Sequence, residues 1–317
     1  MSDANHFAII NRINLDTTPS QAAAHWNADP ASLQLVNHGI NVVYRFIAND
    51  QAYYLKLTHA QLKSPAALTA NWDFLLHLAK NSAPVSPPAL SAGGQKVVAI
   101  SQNEEIFLAS VAQAMPGQLL TEPILPEDTY IHWGRALAHL HNASASFQPT
   151  DPSHYLSWDN NWNEIRALID PNDHIALTEF EQVDAWFQTL STDPPDFGLT
   201  HADFRAGNML LCQGRITIID FDEPVWHWYP ADLARPFLEL ADCPLEDRRQ
   251  ALNWFIQGYR TLRPMDDFWV ENLPWFMRMN TLGIYTWSAA HWDPRQPLTR
   301  PEWIDHYQHR FTHPLNW

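Results

Sequence analysis

Over roughly the first 115 residues, apolar side chains come in short strand-like runs; beyond that they recur mainly at helical spacing. The stretches SLQLVNHGINVVYRFIA, AYYLKLT, KVVAIS and EIFLASV are rich in Val, Ile, Tyr and Phe and are broken by Asn, Asp and Gly, which predicts strands. One helix interrupts them. Between Leu68 and Lys80, the residues Leu68, Asn71, Trp72, Leu75 and Leu78 share one face. The segment PVSPPALSAGG then ends that helix with prolines and returns to strand. After AMPGQLL, Trp133, Leu137 and Leu140 line one helix, and Phe180, Val183, Phe187 and Leu190 line another. NMLLCQGRITIIDFD is a β interruption, and the C-terminal part is again helical and aromatic. There is no internal repeat and no low-complexity segment. The pattern predicts an α+β chain of two lobes, a small β-rich lobe over 1–113 and a larger, mainly helical lobe over 114–317. The cleft between such lobes is the default ligand site.

Composition narrows the class. The 317 residues are 46% hydrophobic and 17% charged, an ordinary globular balance. The formal charge is −16 and the basic residues form no runs, which disfavours a nucleic-acid-binding surface, since that needs a basic stripe against phosphates. In so acidic a chain an anionic substrate needs local help from a lysine, backbone N–H groups or a metal ion. Cys212 and Cys243 cannot make a disulfide framework and are expected to be reduced packing residues in a cytosolic protein. MSDANHFAIINRINLD lacks the basic start and apolar core of a signal peptide. No apolar run approaches the roughly 20 residues needed to span a bilayer. The expectation is a soluble, cytoplasmic protein with neither nucleic acid nor membrane as partner, its oligomeric state unspecified.

The chemistry concentrates between residues 199 and 222. LTHADFRAGNML holds His201, Asp203 and Asn208 in one short segment, and NMLLCQGRITIIDFD follows as a β-hairpin with Gln213-Gly214 at its tip. A two-residue turn there pairs Cys212 with Arg215, Leu210 with Thr217 and Asn208 with Ile219. Asn208 therefore lies at the open end of the hairpin beside Asp220, where the loop carrying Asp203 also arrives. Strict alternation would point Asp220 away from Asn208, so a bulge or a strand end must bring the two together. Asp, Asn and Gly are common in loops for conformational reasons alone. As a set ending in IIDFDEP, these residues suit phosphoryl transfer: Asp203 orients a hydroxyl and takes its proton, and oxygen donors from Asn208 and Asp220 suit Mg²⁺.

HADFRAGN followed by ITIIDFDEP resembles the aminoglycoside phosphotransferase/choline kinase family, which includes homoserine-kinase-like bacterial enzymes and has the protein-kinase-like fold. The resemblance runs from about residue 25 to beyond 290 and is specific at these motifs. It implies ATP and Mg²⁺ as cofactors, Asp203 as the base, Asn208 and Asp220 as metal ligands, and His201 as a brace of the loop. PADLARPF resembles the segment that follows in the family, with Asp232 as a structural brace.

The N-terminal lobe offers an independent check. The only lysines are Lys56, Lys63, Lys80 and Lys96, and Lys56 alone lies inside an apolar β run, YYLKL. By resemblance it faces the nucleotide phosphates, NHGINVVYRF places Gly39, Ile40 and Asn41 in the loop that covers them, and the connector from Ala112 to Met115 meets the adenine through its backbone. The family glutamate that pairs with the strand lysine has no counterpart. Its inward position is Asn71, and Asp73, two residues on, is turned about 200° around the helix.

The acceptor is less defined. Asp159, Asp222, Glu223, Trp226, Tyr285 and Trp287 are candidates for an aromatic–acidic pocket that takes an amine, since aromatic faces attract cations. Aromatic residues at helical spacing also serve as plain core. The resemblance implies a small hydroxylated acceptor such as homoserine, a choline-like alcohol or an aminosugar. The alternatives are a bacterial Ser/Thr protein kinase of the same fold and a nucleotide-binding pseudokinase.

Overall fold

The strand-like runs before residue 115 assemble into one six-stranded antiparallel sheet. The computed structural model describes residues 6–122, 124–292 and 297–313. The chain divides into two units, one comprising Met1–Asn81, Val85–Pro116 and Pro149–His154, the other Ser82–Pro84, Gly117–Gln148 and Tyr155–Trp317.

The first unit opens with two short helices, α1 (His6–Ile10) and α2 (Thr18–Ala24), too brief to show a helical period in the sequence. Its strands are β1 (Gln34–His38), β2 (Val42–Ala48) and β3 (Gln51–His59), then, after helix α3 (Pro65–Lys80), β4 (Pro88–Ala89), β5 (Val98–Gln102) and β6 (Glu105–Gln113). The order is β1-β2-β3-β6-β4, with β5 also paired to β6. β2 and β3 join through Asn49-Asp50, both with positive φ (50° and 60°), the turn whose twist matches the strands it connects. Alternate residues of β2, β3 and β6 (Val42, Tyr44, Phe46, Leu55, Leu57, Phe107, Ala109 and Val111) form the core, with Trp26 packed among them. α3 starts on a sequence-encoded cap: Ser64 accepts the Ala67 N–H at 3.1 Å and Pro65 fills the first turn, where its missing N–H costs nothing.

The second unit contains β7 (Gln118–Leu119), α4 (Glu127–Ser144), β8 (Leu156–Ser157), α5 (Trp158–Leu168), α6 (His174–Phe187), β9 (Phe197–Thr200), β10 (Met209–Cys212), β11 (Arg215–Ile218) and β12 (Val225–Trp228). Helices α7 (Pro230–Leu238), α8 (Leu245–Arg260), α9 (Asp267–Glu271), α10 (Leu273–Ala290) and α11 (Arg300–Thr312) complete it. α4 and α8 pack backbone to backbone because two glycines allow it. A Cβ on Gly134 would lie 2.0 Å from the Phe255 carbonyl oxygen, and one on Gly258 would lie 2.1 Å from that of Ile131. Two three-stranded sheets, β11-β10-β7 and β8-β12-β9, carry the segments that matter for chemistry.

The hairpin register is the one the sequence implies: Cys212 pairs with Arg215 and Leu210 with Thr217. Both turn residues have positive φ, 49° at Gln213 and 72° at Gly214. Within the mainly helical region after residue 115, β8, β9 and β12 form a further sheet, whose strands of two to four residues are too short to show a period in the sequence. One expectation needs correction. Tyr285 does not line an open pocket. It is buried, stacks on Trp303 of α11 at 5.3 Å and donates its hydroxyl proton to Asp173, so it fastens α11 to α10. Among the described residues, no helix is long and apolar enough to cross a membrane.

Candidate active site

β9 ends at Thr200 and delivers the segment His201–Asn208, which closes in a single 3-10 turn from Ala206 to Asn208. Each of the two acidic motifs is anchored by the phenylalanine that follows its carboxylate. Phe204, next to Asp203, is fully buried with its ring 6.0 Å from that of Trp133, and Phe221, next to Asp220, packs 4.5 Å from His201. Burying such a ring is worth about 1.5–3 kcal/mol, enough to hold a loop whose neighbouring side chains must stay partly open.

Hydrogen bonds fix the loop further. His201 accepts the Asp203 N–H on Nδ1 at 3.2 Å and donates from Nε2 to the Ile219 carbonyl at 3.0 Å, tying the loop to the end of β11. The carboxylate of Asp232 accepts the N–H groups of His201 at 2.7 Å and Ala202 at 2.8 Å. Ala202 has φ +67°, a left-handed conformation that a residue with a Cβ adopts only under constraint, and the two bonds to Asp232 supply that constraint. Beneath them Asp232 also receives His141 Nε2 at 3.3 Å, while Tyr259 donates to His141 Nδ1 at 2.9 Å. Burial opposes the charge on Asp232, yet its hydrogen bonds from His141 and the His201 backbone hold the carboxyl below its ordinary range. Burial pushes the His141 imidazole down, which keeps it neutral, as its two bonds require.

The Asp203 carboxylate is engaged by three side chains. Asn208 donates its amide both to the Asp203 carbonyl and to carboxylate oxygen Oδ2, each at 2.9 Å. Arg205 Nε lies 3.0 Å from the same oxygen, and an Arg235 terminal nitrogen lies 3.2 Å from Oδ1. The carboxylate remains 46% exposed. Desolvation works against its charge, but the guanidiniums of Arg235 and Arg205 outweigh it and hold the carboxyl below its usual range. The sequence did not point to either arginine. Arg205 stood in the quoted motif without a spacing rule to single it out, and Arg235 reaches the site only because α7 folds back beneath the loop.

Asp220 follows the last paired residue of the hairpin. The Ile219 N–H still bonds the Asn208 carbonyl at 3.0 Å, so the expected pairing of 208 with 219 exists. Asp220 then adopts φ +70°. This is the break in alternation that the sequence required if Asp220 and Asn208 are to serve one point. The donor set fits a hard cation. Asn208 spends its nitrogen on Asp203, which leaves Oδ1 as its oxygen donor, and Asp220 adds a carboxylate. Among the described residues no three His, Cys, Asp or Glu side chains cluster as a self-sufficient metal centre.

In the first unit, Lys56 sits in the middle of β3, opposite Val43 and Ser110, between Leu55 and Leu57, which are wholly buried on the other face. Asn71 is buried on α3, and Asp73 pairs with Lys96. Gly39, Ile40 and Asn41 form the β1–β2 connection; the Gly39 N–H donates to the Asn41 carbonyl at 3.0 Å and the Ile40 carbonyl lies 2.9 Å from His6 Nε2. A Cβ on Gly39 would meet nothing nearer than 3.5 Å, so the chain's own packing does not demand a glycine there. Met115 lies just past β6, half-buried, after Ala114 donates its N–H to the Ala52 carbonyl at 2.9 Å.

The acceptor candidates divide. Trp226 lies on β12, paired with Ser157 and Leu199, and Ser157 precedes Asp159 in the exposed first turn of α5. Asp222 is half-buried and Glu223 exposed just before β12. Burial and, after it, the Glu223 carboxylate raise the carboxyl of Glu164 on α5, a residue absent from the sequence expectation. Trp287 lies on α10, its ring 4.9 Å from His291, and Tyr285 is taken up by α11.

With this geometry in view, a profile of the phosphotransferase enzyme family (APH) matches residues 32–268. The chain belongs to that family. This phosphotransferase is 27% identical over 279 residues to the amicoumacin kinase of Bacillus subtilis (strain 168), covering 84% of this chain and 82% of that one. Among solved structures it resembles an amicoumacin kinase in complex with AMP-PNP, Ca²⁺ and Ami, at TM-score 0.87 and 23% identity over 96% of both chains. It also resembles a microcompartment-associated aminopropanol kinase, at TM-score 0.74 and 21% identity over 92% of this chain and 93% of that one. The two-lobed, protein-kinase-like α+β fold of the phosphotransferase is thereby established.

Proposed function

We propose that this phosphotransferase moves the γ-phosphate of ATP, with Mg²⁺, to a hydroxyl of a small, amine-bearing molecule. The observation that carries the reading is Asn208: its amide holds the carboxylate and carbonyl of Asp203 together, leaving its oxygen for a cation beside Asp220. Asp203 orients the acceptor hydroxyl and takes its proton, Asn208 and Asp220 hold the metal, and His201 and Asp232 keep the loop in shape. Bound Mg²⁺ would neutralise charge on the phosphates. Lys56, the loop Gly39–Asn41 and the backbone at Met115 bind the nucleotide.

For the acceptor, Asp222, Glu223 and Trp226, with Glu164 near Glu223, Asp159 on α5 and Trp287 on α10, offer carboxylates and an aromatic face to an ammonium group. The names of two relatives, an amicoumacin kinase and an aminopropanol kinase, support a small-molecule acceptor, the second by name an amine with a hydroxyl. Homoserine, choline-like alcohols and aminosugars are the candidates. Two free cysteines suit a cytoplasmic setting.

The test is a thermal-shift titration with ATP and Mg²⁺, followed by an ATP-consumption screen over hydroxylated amines, amino acids, aminoglycosides and a protein acceptor. Wild-type protein is expected to be stabilised by the pair and to turn over with a member of the small-molecule panel, and Asp220→Ala to lose most of the stabilisation. Full stabilisation of Asp220→Ala would remove it from the metal site; turnover with the protein acceptor alone would replace the small-molecule reading.

A further inference from the structure

The two arginines on Asp203 are not equivalent. Arg235 comes from α7, is 15% exposed and faces Oδ1. Arg205 belongs to the loop itself, is 39% exposed and binds Oδ2 through Nε alone. Among the described residues, the two terminal nitrogens of Arg205 have no hydrogen-bond acceptor. One of them lies across the α-carbon of Gly207, where a Cβ would come within 2.4 Å of it. Gly207 has no positive φ that would call for a glycine. What the glycine supplies is clearance for the guanidinium.

We propose that Arg205 is a catalytic residue of this loop, which engages the phosphoryl group in transfer through its two terminal nitrogens, with Gly207 as the space in which the guanidinium lies. The inference rests on the phosphotransferase role of Asp203. The acceptor oxygen must reach Asp203 to give up its proton, and that same oxygen becomes bonded to phosphorus. The transferring group therefore passes within reach of a guanidinium anchored on the same carboxylate.

In the step, the bond from phosphorus to the leaving nucleoside-diphosphate oxygen breaks and the bond to the acceptor oxygen forms. The acceptor proton goes to Asp203. Arg205 makes and breaks no covalent bond; it donates N–H groups to the non-bridging phosphoryl oxygens, a geometry its planar fork matches. In a chain of net charge −16, positive charge at that point has to be local.

The test reads binding rather than turnover. Isothermal titrations of the full chain with Mg²⁺ compare ADP with AMP-PNP, which differ by the terminal phosphate. Loss of a charge-assisted pair is expected to weaken AMP-PNP binding to Arg205→Ala roughly tenfold or more, with ADP affinity within about twofold of wild type. Gly207→Ala, which keeps the charge and displaces it, is expected to move AMP-PNP affinity in the same direction. Unaltered AMP-PNP binding by Arg205→Ala, or an equal loss for both nucleotides, overturns the role of Arg205 and leaves the assignment of Asp203 standing. Wild-type protein that binds neither nucleotide overturns the phosphotransferase reading and this inference with it.

Discussion

The buried carboxylate of Asp232 accepts the backbone N–H of His201 at 2.7 Å, which makes α7 the support on which the Asp203 loop is built. Removing it leaves the buried His201 N–H, the Ala202 N–H and the His141 imidazole without their shared acceptor. Asp232→Ala is expected to lower unfolding free energy by about 3–5 kcal/mol, the scale for breaking a buried charged network. Asp232→Asn, which retains one acceptor oxygen, is expected to lose less. Urea unfolding of the three proteins measures both; an Asp232→Ala variant as stable as wild type would mean that α7 does not support the loop.

Buried histidines give stability a pH slope. His227 is fully enclosed, and burial lowers its pKa to about 4, while the unfolded chain protonates near 6.5. Between those values the unfolded state binds more protons, so stability rises with pH. The stabilisation is complete above about 6.5 and is lost as pH falls towards 4, by up to about 1.4 kcal/mol per pH unit for one such group. His141 acts in the same direction. His227→Asn keeps an acceptor for the Trp228 N–H, which His227 Nδ1 receives at 2.9 Å, and removes the titration. Unfolding free energies measured from pH 7 to pH 4 are expected to fall less steeply in the variant; parallel curves would show that His227 is not the source of the slope.

Gly39 separates a folding role from a binding one. A Cβ there meets only ordinary contacts, so Gly39→Ala is expected to leave stability within about 0.5 kcal/mol of wild type. If the β1–β2 connection covers nucleotide phosphates, the added methyl group obstructs the approach and weakens ATP binding several-fold. Thermal denaturation with and without ATP and Mg²⁺ reads both effects. Unchanged ATP stabilisation in a stable variant would take this loop out of the nucleotide site.

The parts of the site visible in the sequence are those encoded locally. The Gln213-Gly214 turn fixes the hairpin register, and the register fixes which residue stands opposite Asn208. The spacing of Leu68, Asn71, Trp72, Leu75 and Leu78 likewise gives α3 and its buried face. What stayed hidden depends on chain segments meeting from a distance. Arg235 lies 32 positions after Asp203 and reaches it because Asp232, one turn earlier on α7, is tied to the loop. Tyr285 looked like a pocket residue because nothing local shows that Trp303 and Phe311 cover it. Trp226 looked like part of an aromatic helix because a four-residue strand carries too few positions to reveal its period.

The central claim is that Asp203 takes the proton of an acceptor hydroxyl during phosphoryl transfer. The most direct measurement follows ATP and Mg²⁺ with the best hydroxylated amine of the screen by ³¹P NMR, in wild-type protein and in Asp203→Ala. Wild type is expected to yield a new phosphomonoester signal on the amine, and Asp203→Ala to form it roughly 10²–10⁴-fold more slowly, the scale of lost general-base catalysis, while still binding ATP. Equal rates of phosphomonoester formation in the two proteins would contradict the claim.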